Sequence, residues 1–260
     1  MSHALWTGAS GMSAQQTNVD VIANNIANVN TTGFKRQRVN FQDLFYDVVT
    51  APGTRASDQG RNPTGIQVGH GVKLSSTPRI FTPGNVEVTN NEFDLAIEGD
   101  GFFTVSLPDG SSAYTRAGDF RPDGEGNLVT PDGYFMEPRI TVPEGTDQFS
   151  VSTTGVVTVL VDGVQSDIGT LTLTRFRNPA GLIAGGRNLF IETIASGAPN
   201  DGTPGEAGLG SLRNGALEKA NVEIVNELVS LIVAQRAFEM NSKSITTADQ
   251  MLQTANEIIR

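Results

Sequence analysis

The chain has 260 residues, room for one or two domains with a buried core. Asp and Glu number 28 against 18 Lys and Arg, and the net charge of −10 excludes a nucleic-acid-binding protein, which needs a basic surface. Cysteine is absent, which excludes thiol catalysis, disulfides and cysteine-held zinc.

The first residues, "MSHALWTGAS", lack a basic region followed by an apolar one, so no cleaved secretory leader is expected. The longest apolar cluster, "LVSLIVA" at 228–234, falls far short of the ~20 residues that span a bilayer. Proline and glycine divide the chain. All 12 prolines lie from Pro52 to Pro204, and no glycine follows Gly215. Both residues are unfavourable inside helices, so helical ends are expected around a turn-rich middle.

The first predicted element is a helix over 2–30, roughly 43 Å long at ~1.5 Å per residue. Leu5, Met12, Val19 and Ile26 recur at seven-residue spacing, with Ile22 and Val29 in companion positions. Gly33 is available as a left-handed cap. Asp20 is the single formally charged residue among the first 34, and Asn24, Asn25, Asn28 and Asn30 cluster near the helix end. A helix enclosed by copies of itself cannot readily bury charge, but it can hold asparagine, which both donates and accepts. Next comes 37–76, an expected extended linker. It is rich in turn formers and poor in apolar residues over 46–71.

A β-rich middle domain is expected over 77–214. "FFTVSL" (102–107), "GVVTVLV" (155–161) and "TLTLTRF" (170–176) are rich in β-branched and aromatic residues. "PDG" occurs at 108–110, 122–124 and 131–133, and each instance reads as a tight turn. The fold class is therefore mixed α and β: a discontinuous helical domain, coiled-coil-like, made from both ends and flanking a mainly antiparallel middle. The last element is a helix over 217–259 within the segment 215–260. Ile224, Leu231, Phe238, Ile245, Leu252 and Ile259 keep strict spacing seven, which favours helices that wrap around one another. The companion position after Leu228 is polar throughout: Gln235, Ser242, Asp249 and Asn256. Ala234, Ala248 and Ala255 flank the stripe and allow close helix approach.

Sites for chemistry are scarce. His3 and His70 are the only histidines, and His70 reads as a solvated loop residue. "GHGVKL" (69–74) and "GLGSLR" (208–213) begin like a dinucleotide fingerprint but lack its third glycine. "DGEGNL" (123–128) has Leu128 where a calcium loop needs glycine, so a hairpin turn is expected. No catalytic, metal or cofactor site is expected.

Long motifs carry a resemblance. "ANNIANVNTTGFKRQR" (23–38) resembles the N-terminal signature of bacterial flagellar rod and hook axial proteins, and "ANVEIVNELVSLIVAQRAFEMNSKSITTADQMLQ" (220–253) their C-terminal signature. "DLAIEGDGFFTV" (94–105), "YTRAGDF" (114–120) and "NPAGLIAGGRNLF" (178–190) match between them, in order over nearly the whole chain. Within the family the resemblance runs to the distal rod class. Single-middle-domain proximal rod and hook-type members are the alternatives. Outside the family, a cell-wall-acting enzyme and a β-adhesin compete, but the sequence offers neither a nucleophile set nor an anchor.

The resemblance implies export through the flagellar type III apparatus without a cleaved signal, and helical self-assembly into a rigid hollow driveshaft in the periplasm. Implied partners are further copies of the chain, proximal rod proteins, the hook protein, the rod cap and the P- and L-ring bushing. Expected self-assembly residues are Leu5, Met12, Val19, Ile22, Asn24, Asn25, Ile26, Asn28 and Val29 in the first helix. In the last they are Ile224, Leu228, Leu231, Gln235, Phe238, Ser242, Ile245 and Leu252. The stretch 46–63 lies where rod members carry a rod-specific segment, and Tyr46, Pro52, Arg55, Asp58, Arg61 and Pro63 are its expected bridging residues.

Overall fold

A computed structural model describes residues 2–53, 55–57 and 60–258, so Asp58 and Ile259 lie outside the described residues. The chain divides into two units. The first comprises Met1–Ile26, Gln37–Pro78 and Ile224–Arg260; the second comprises Ala27–Arg36 and Arg79–Glu223.

In the first unit, helix α1 spans Ser2–Ala27 and helix α2 spans Ile224–Ile258. Both ends differ from the sequence reading. α1 stops at Ala27, before the Asn- and Thr-rich turn in which the Thr31 N–H donates to the Asn28 carbonyl. Asparagine competes for backbone hydrogen bonds and so favours that turn. α2 starts seven residues later than expected, because Ala216–Glu218 pairs as a strand with Val86–Val88. Here tertiary pairing overrides a helical pattern.

The two helices pack antiparallel. A Cβ on Gly8 would lie 2.8 Å from Ile245, and one on Gly11 2.8 Å from Asn241. At the other end Asn25 bonds to Glu227. α2 therefore presents Glu227, Ala234, Asn241 and Ala248 at spacing seven, beside Leu231, Ile245 and Leu252. This corrects the companion position, which lies one residue earlier than 228/235/242/249. Ala234 and Ala248 are small there, and Asn241 fits because Gly11 on α1 leaves room for its amide.

The expected linker is instead a long antiparallel hairpin. Asn40–Asp43 pairs with Val72–Ser76, Tyr46–Thr50 with Ile66–Gly69, and Arg55–Ser57 with Gly60–Arg61. Backbone bonds from Leu44 to Gly71, His70 to Phe45 and Gly53 to Asn62 bridge the intervals, so the ribbon runs continuously. At its base Gly71, at φ +105°, lies against Ser10 of α1. His70 stacks on Phe45 at 4.4 Å and meets His3 edge-on at 5.0 Å, so its half-buried ring packs while remaining partly in water.

The second unit is built on a seven-stranded antiparallel sheet, ordered Arg121–Pro122, Leu128–Val129, Phe135–Glu137, Phe103–Ser106, Ser112–Thr115, Leu189–Ile191 and Ile183–Gly186. All three "PDG" segments lie in its connections or strand ends, two of them as tight turns whose glycines, Gly110 and Gly133, take φ near +80°. A three-stranded sheet, Thr146–Val151, Val156–Val161 and Val164–Thr170, adds Phe149, Val157 and Val159 to a core around Leu95, Phe103, Phe120 and Leu212. "TLTLTRF" yields only the short strand Leu173–Arg175, paired with Asn200–Gly202. "DGEGNL" is a turn closed on the Asp123 carboxylate, which accepts from the Glu125 and Asn127 N–H groups at 2.9 and 2.8 Å.

The segment 27–36 belongs to this unit. Gly33 takes φ +67°, not to cap α1 but to fit against the backbone of Arg116 and Ala117, and its N–H donates to the Glu218 carbonyl at 2.8 Å. Beside it lies a buried charged cluster. The Lys35 ammonium donates to Glu218 Oε1 at 2.6 Å and to the Thr82 carbonyl at 2.8 Å. The Arg116 guanidinium reaches Glu218 Oε2 at 3.4 Å and donates to the Gly99 carbonyl at 2.6 Å. Burial, together with the neighbouring Arg116 charge, pushes the Lys35 ammonium down to about 8, against the pull of Glu218.

Candidate self-assembly surface

α2 carries apolar residues on two opposite faces. At ~100° per residue, Leu231, Ala234, Ile245, Ala248 and Leu252 fall together, on the side that meets α1. Val225, Val229, Ile232, Val233, Met240 and Met251 fall on the other side, within a stripe about 100° wide. In the single chain that second stripe is open, with Val233 62% and Met240 70% exposed. A helix that is apolar on both sides is one that is covered on both sides. Ile224, Leu228 and Phe238 are also exposed, so these three expected stripe residues do not pack within the chain. Gln235 is exposed and Ser242 half-buried.

On α1, Ile22 is buried, while Leu5, Met12, Val19 and Ile26 are half-buried, and Trp6 points outward, 75% exposed. Asn25 is 1% exposed. Its side-chain N–H groups donate to the Gln37 carbonyl at 2.9 Å and to Glu227 Oε2 at 3.3 Å, and its carbonyl accepts from the Gln37 N–H at 2.9 Å. Both ends of this amide are therefore used inside the chain, where the sequence reading had given it to a neighbouring copy. A buried amide with a nearby backbone N–H and C=O pairs locally, because leaving those groups unmade is costly. Asn24 is exposed; Asn28 and Val29 are half-buried.

The hairpin is apolar on both faces. Within the strand Tyr46–Thr50 the neighbours Asp47 and Val48 face opposite ways, the register shifts at Val49, and Phe45, Tyr46, Val48 and Val49 are all exposed, as are Ile66, Val68 and Leu74. A two-stranded ribbon is marginal in water, and an apolar patch of this kind marks an interaction site. Pro52 and Pro63 lie exposed in the bends toward the tip, and Arg55 and Arg61 pair across it through their backbones.

Several residues escaped the sequence reading. The outward stripe was legible in "LVSLIVA", since an apolar run broken only at Ser230 covers more than one helix face. Gly8 and Gly11 add nothing to an apolar heptad, yet they are where the helices touch. Nothing in the sequence singles out Lys35, Arg116 or Glu218, which come together only through the fold. Among the described residues, no three metal-ligating side chains cluster, and no helix is long and apolar enough to cross a membrane.

Three family models match in chain order: flagella basal body rod protein at residues 5–35, flagellar hook protein FlgE/F/G D1 domain at 96–159, and flagellar basal body rod FlgEFG protein C-terminal at 213–258. The flagellar basal-body rod protein FlgG of Borreliella burgdorferi is 51% identical, with 100% of both chains covered. That of Caulobacter vibrioides is 50% identical over 98% of each chain. The flagellar hook protein FlgE of Helicobacter mustelae is 45% identical over 53% of this chain and 30% of its own length. With two-faced helices, an apolar ribbon and similarity from end to end, the chain belongs to the FlgG family of flagellar basal-body rod proteins.

Proposed function

We propose that this structural subunit of the flagellar basal-body rod builds the distal rod by helical self-assembly, forming a rigid hollow shaft in the periplasm that carries motor torque to the hook. The observation that carries the reading is the second apolar face of α2, which only neighbouring copies of an all-helical inner layer would cover. Heterologous contacts that do not close into a ring generate a helix, and many simultaneous contacts resist slipping under torque. The inner stripes of α1 and α2 would form that layer. The ribbon containing 46–63 would bridge copies and oppose bending.

On this reading the subunit passes through the type III export apparatus without a cleaved signal and adds beneath the rod cap. It contacts proximal rod proteins below and the hook protein above, and it turns inside the P- and L-ring bushing. The hook-type alternative accounts for only about half the chain.

The test is Val229→Asp combined with Val233→Asp, with basal bodies examined by electron microscopy. Truncated rods without hooks are expected, with hydrogen exchange of the second unit unchanged. Full-length rods bearing hooks would overturn the reading. Deleting 46–63 should leave the second unit folded and give curved, flexible or unformed rods; straight rods of normal stiffness would sink the bridging role.

A further inference from the structure

Unit two is assembled from two stretches of chain, and one buried cluster joins three points of it that are remote in sequence. Lys35 lies on the segment 27–36, Arg116 lies in the middle, and Glu218 lies on the last strand of the unit, 183 residues after Lys35. Their side chains are 0%, 2% and 1% exposed respectively. One carboxylate serves two cations there, and it also accepts from the Gly84 N–H at 2.8 Å. The backbone closes the same seam. Asn221 donates from its N–H to the Phe34 carbonyl and from its side chain to the Ile80 carbonyl, and its own carbonyl accepts from the Arg36 N–H.

Removing one partner from a buried ion pair leaves an uncompensated charge in a low-dielectric interior, a far larger penalty than the net worth of the pair. In this cluster the penalty is asymmetric. Without Lys35, Arg116 and Glu218 still neutralise one another. Without Glu218, Lys35 and Arg116 lose their shared carboxylate, only the weaker pull of Asp100 still favours their charged forms, and Lys35 must stay charged beside Arg116 or give up its proton, each of which opposes burial.

We propose that the Lys35–Glu218–Arg116 cluster is a closing lock: unit two reaches its native fold only once the last segment, carrying Glu218, has docked onto the first. A chain that becomes available from its N-terminus onward would hold all the strands of the seven-stranded sheet, yet it would be kept open by Lys35 and Arg116 until residue 218 arrives. The anion that permits closure sits almost at the end of the unit, so a partial chain cannot mimic the finished one.

The test uses full-length protein and hydrogen exchange followed by mass spectrometry. Glu218→Gln keeps the side-chain shape and the acceptor for Gly84 while removing the charge. It should speed exchange by about 10²-fold or more across the whole unit, including Phe103–Ser106 and Val156–Val161, far from the substitution. Lys35→Met alone should have a much smaller effect. Lys35→Met added to Glu218→Gln should restore at least about tenfold protection, because one of the two stranded cations is gone. Faster exchange confined to 27–36 and 216–223 would make the cluster a local brace and overturn the lock. So would a double variant no better protected than Glu218→Gln alone, including the case in which neither folds.

Discussion

Gly33→Ala isolates the requirement for close approach in unit two, because Gly215→Ala provides a matched control. The two glycines have nearly the same backbone, φ +67° and +70°. An alanine at either position takes the left-handed penalty of about 1–2 kcal/mol, partly offset by a stiffer unfolded chain. Only at Gly33 does the new Cβ collide: it would lie 2.5 Å from the Ala117 nitrogen and 2.6 Å from the Arg116 carbonyl carbon, whereas nothing comes within 4 Å at Gly215. The obstacle is backbone, which cannot rotate away, and overpacking of this kind adds about 1–3 kcal/mol. Gly33→Ala should then lose about 2–4 kcal/mol and Gly215→Ala about 1 kcal/mol. At about 2–4 °C per kcal/mol for a unit of this size, the melting temperature should fall by about 4–16 °C and 2–4 °C respectively in differential scanning calorimetry of the full chain. Equal shifts for the two variants would show that conformation alone, not the seam between 27–36 and the backbone of Arg116 and Ala117 just after the strand Ser112–Thr115, sets the requirement, and the reasoning would fail.

Asn25→Leu strands the Gln37 N–H and C=O and removes a donor from Glu227, about 3–5 kcal/mol in all; rod counts by microscopy should collapse while calorimetry of the second unit stays unchanged. The stability of the second unit should rise with pH between about 8 and 10.5, because Lys35 is held at about 8 in the fold and titrates at 10.5 when unfolded, so the unfolded chain binds more protons in that window. The gain is at most about 3 kcal/mol, and the urea midpoint of Lys35→Met should lose that dependence. In the free subunit α1 and α2 should exchange their amides rapidly, since a single helical pair with one face open buries too little apolar surface to offset its ordering entropy; strong protection of 5–29 in the monomer would contradict this.

Much of the architecture could be read from residue types. The absence of proline before Pro52 and after Pro204, and of glycine after Gly215, pointed to helical ends, and the three "PDG" segments marked turns. What escaped depended on partners remote in sequence. Heptad counting rewarded large apolar residues, so it found Leu231 and Ile245 but placed the companion position at Leu228, while the helices meet through Gly8, Gly11, Ala234 and Ala248. Residues 217–218 continue a helical pattern smoothly, and only pairing with Val86–Val88 pulls them into a strand. The hairpin at 40–76 looked like a linker because its apolar residues serve surfaces that a single chain leaves open. Asn25 was read, with Asn24 and Asn28, as bonding to neighbouring copies, whereas its partners within the chain, Gln37 and Glu227, were beyond local pattern.

The hairpin also has the topology of an insertion. The Ile80 N–H donates to the Arg36 carbonyl at 2.9 Å, and the Arg38 N–H donates to the Pro78 carbonyl at 3.1 Å. The chain therefore departs and returns through one doorway, and beyond the base, where Gln37, His70 and Gly71 meet α1, it runs on as a two-stranded ribbon. Its length can change without moving either side of the doorway, provided the two strands change together. Side chains alternate with period two, so a step of two residues per strand preserves which face Tyr46 and Phe45 occupy, whereas a step of one exchanges the faces. Reach and facial identity are thus separate variables, and a family of such arms differing by even steps would span different distances with the same two surfaces.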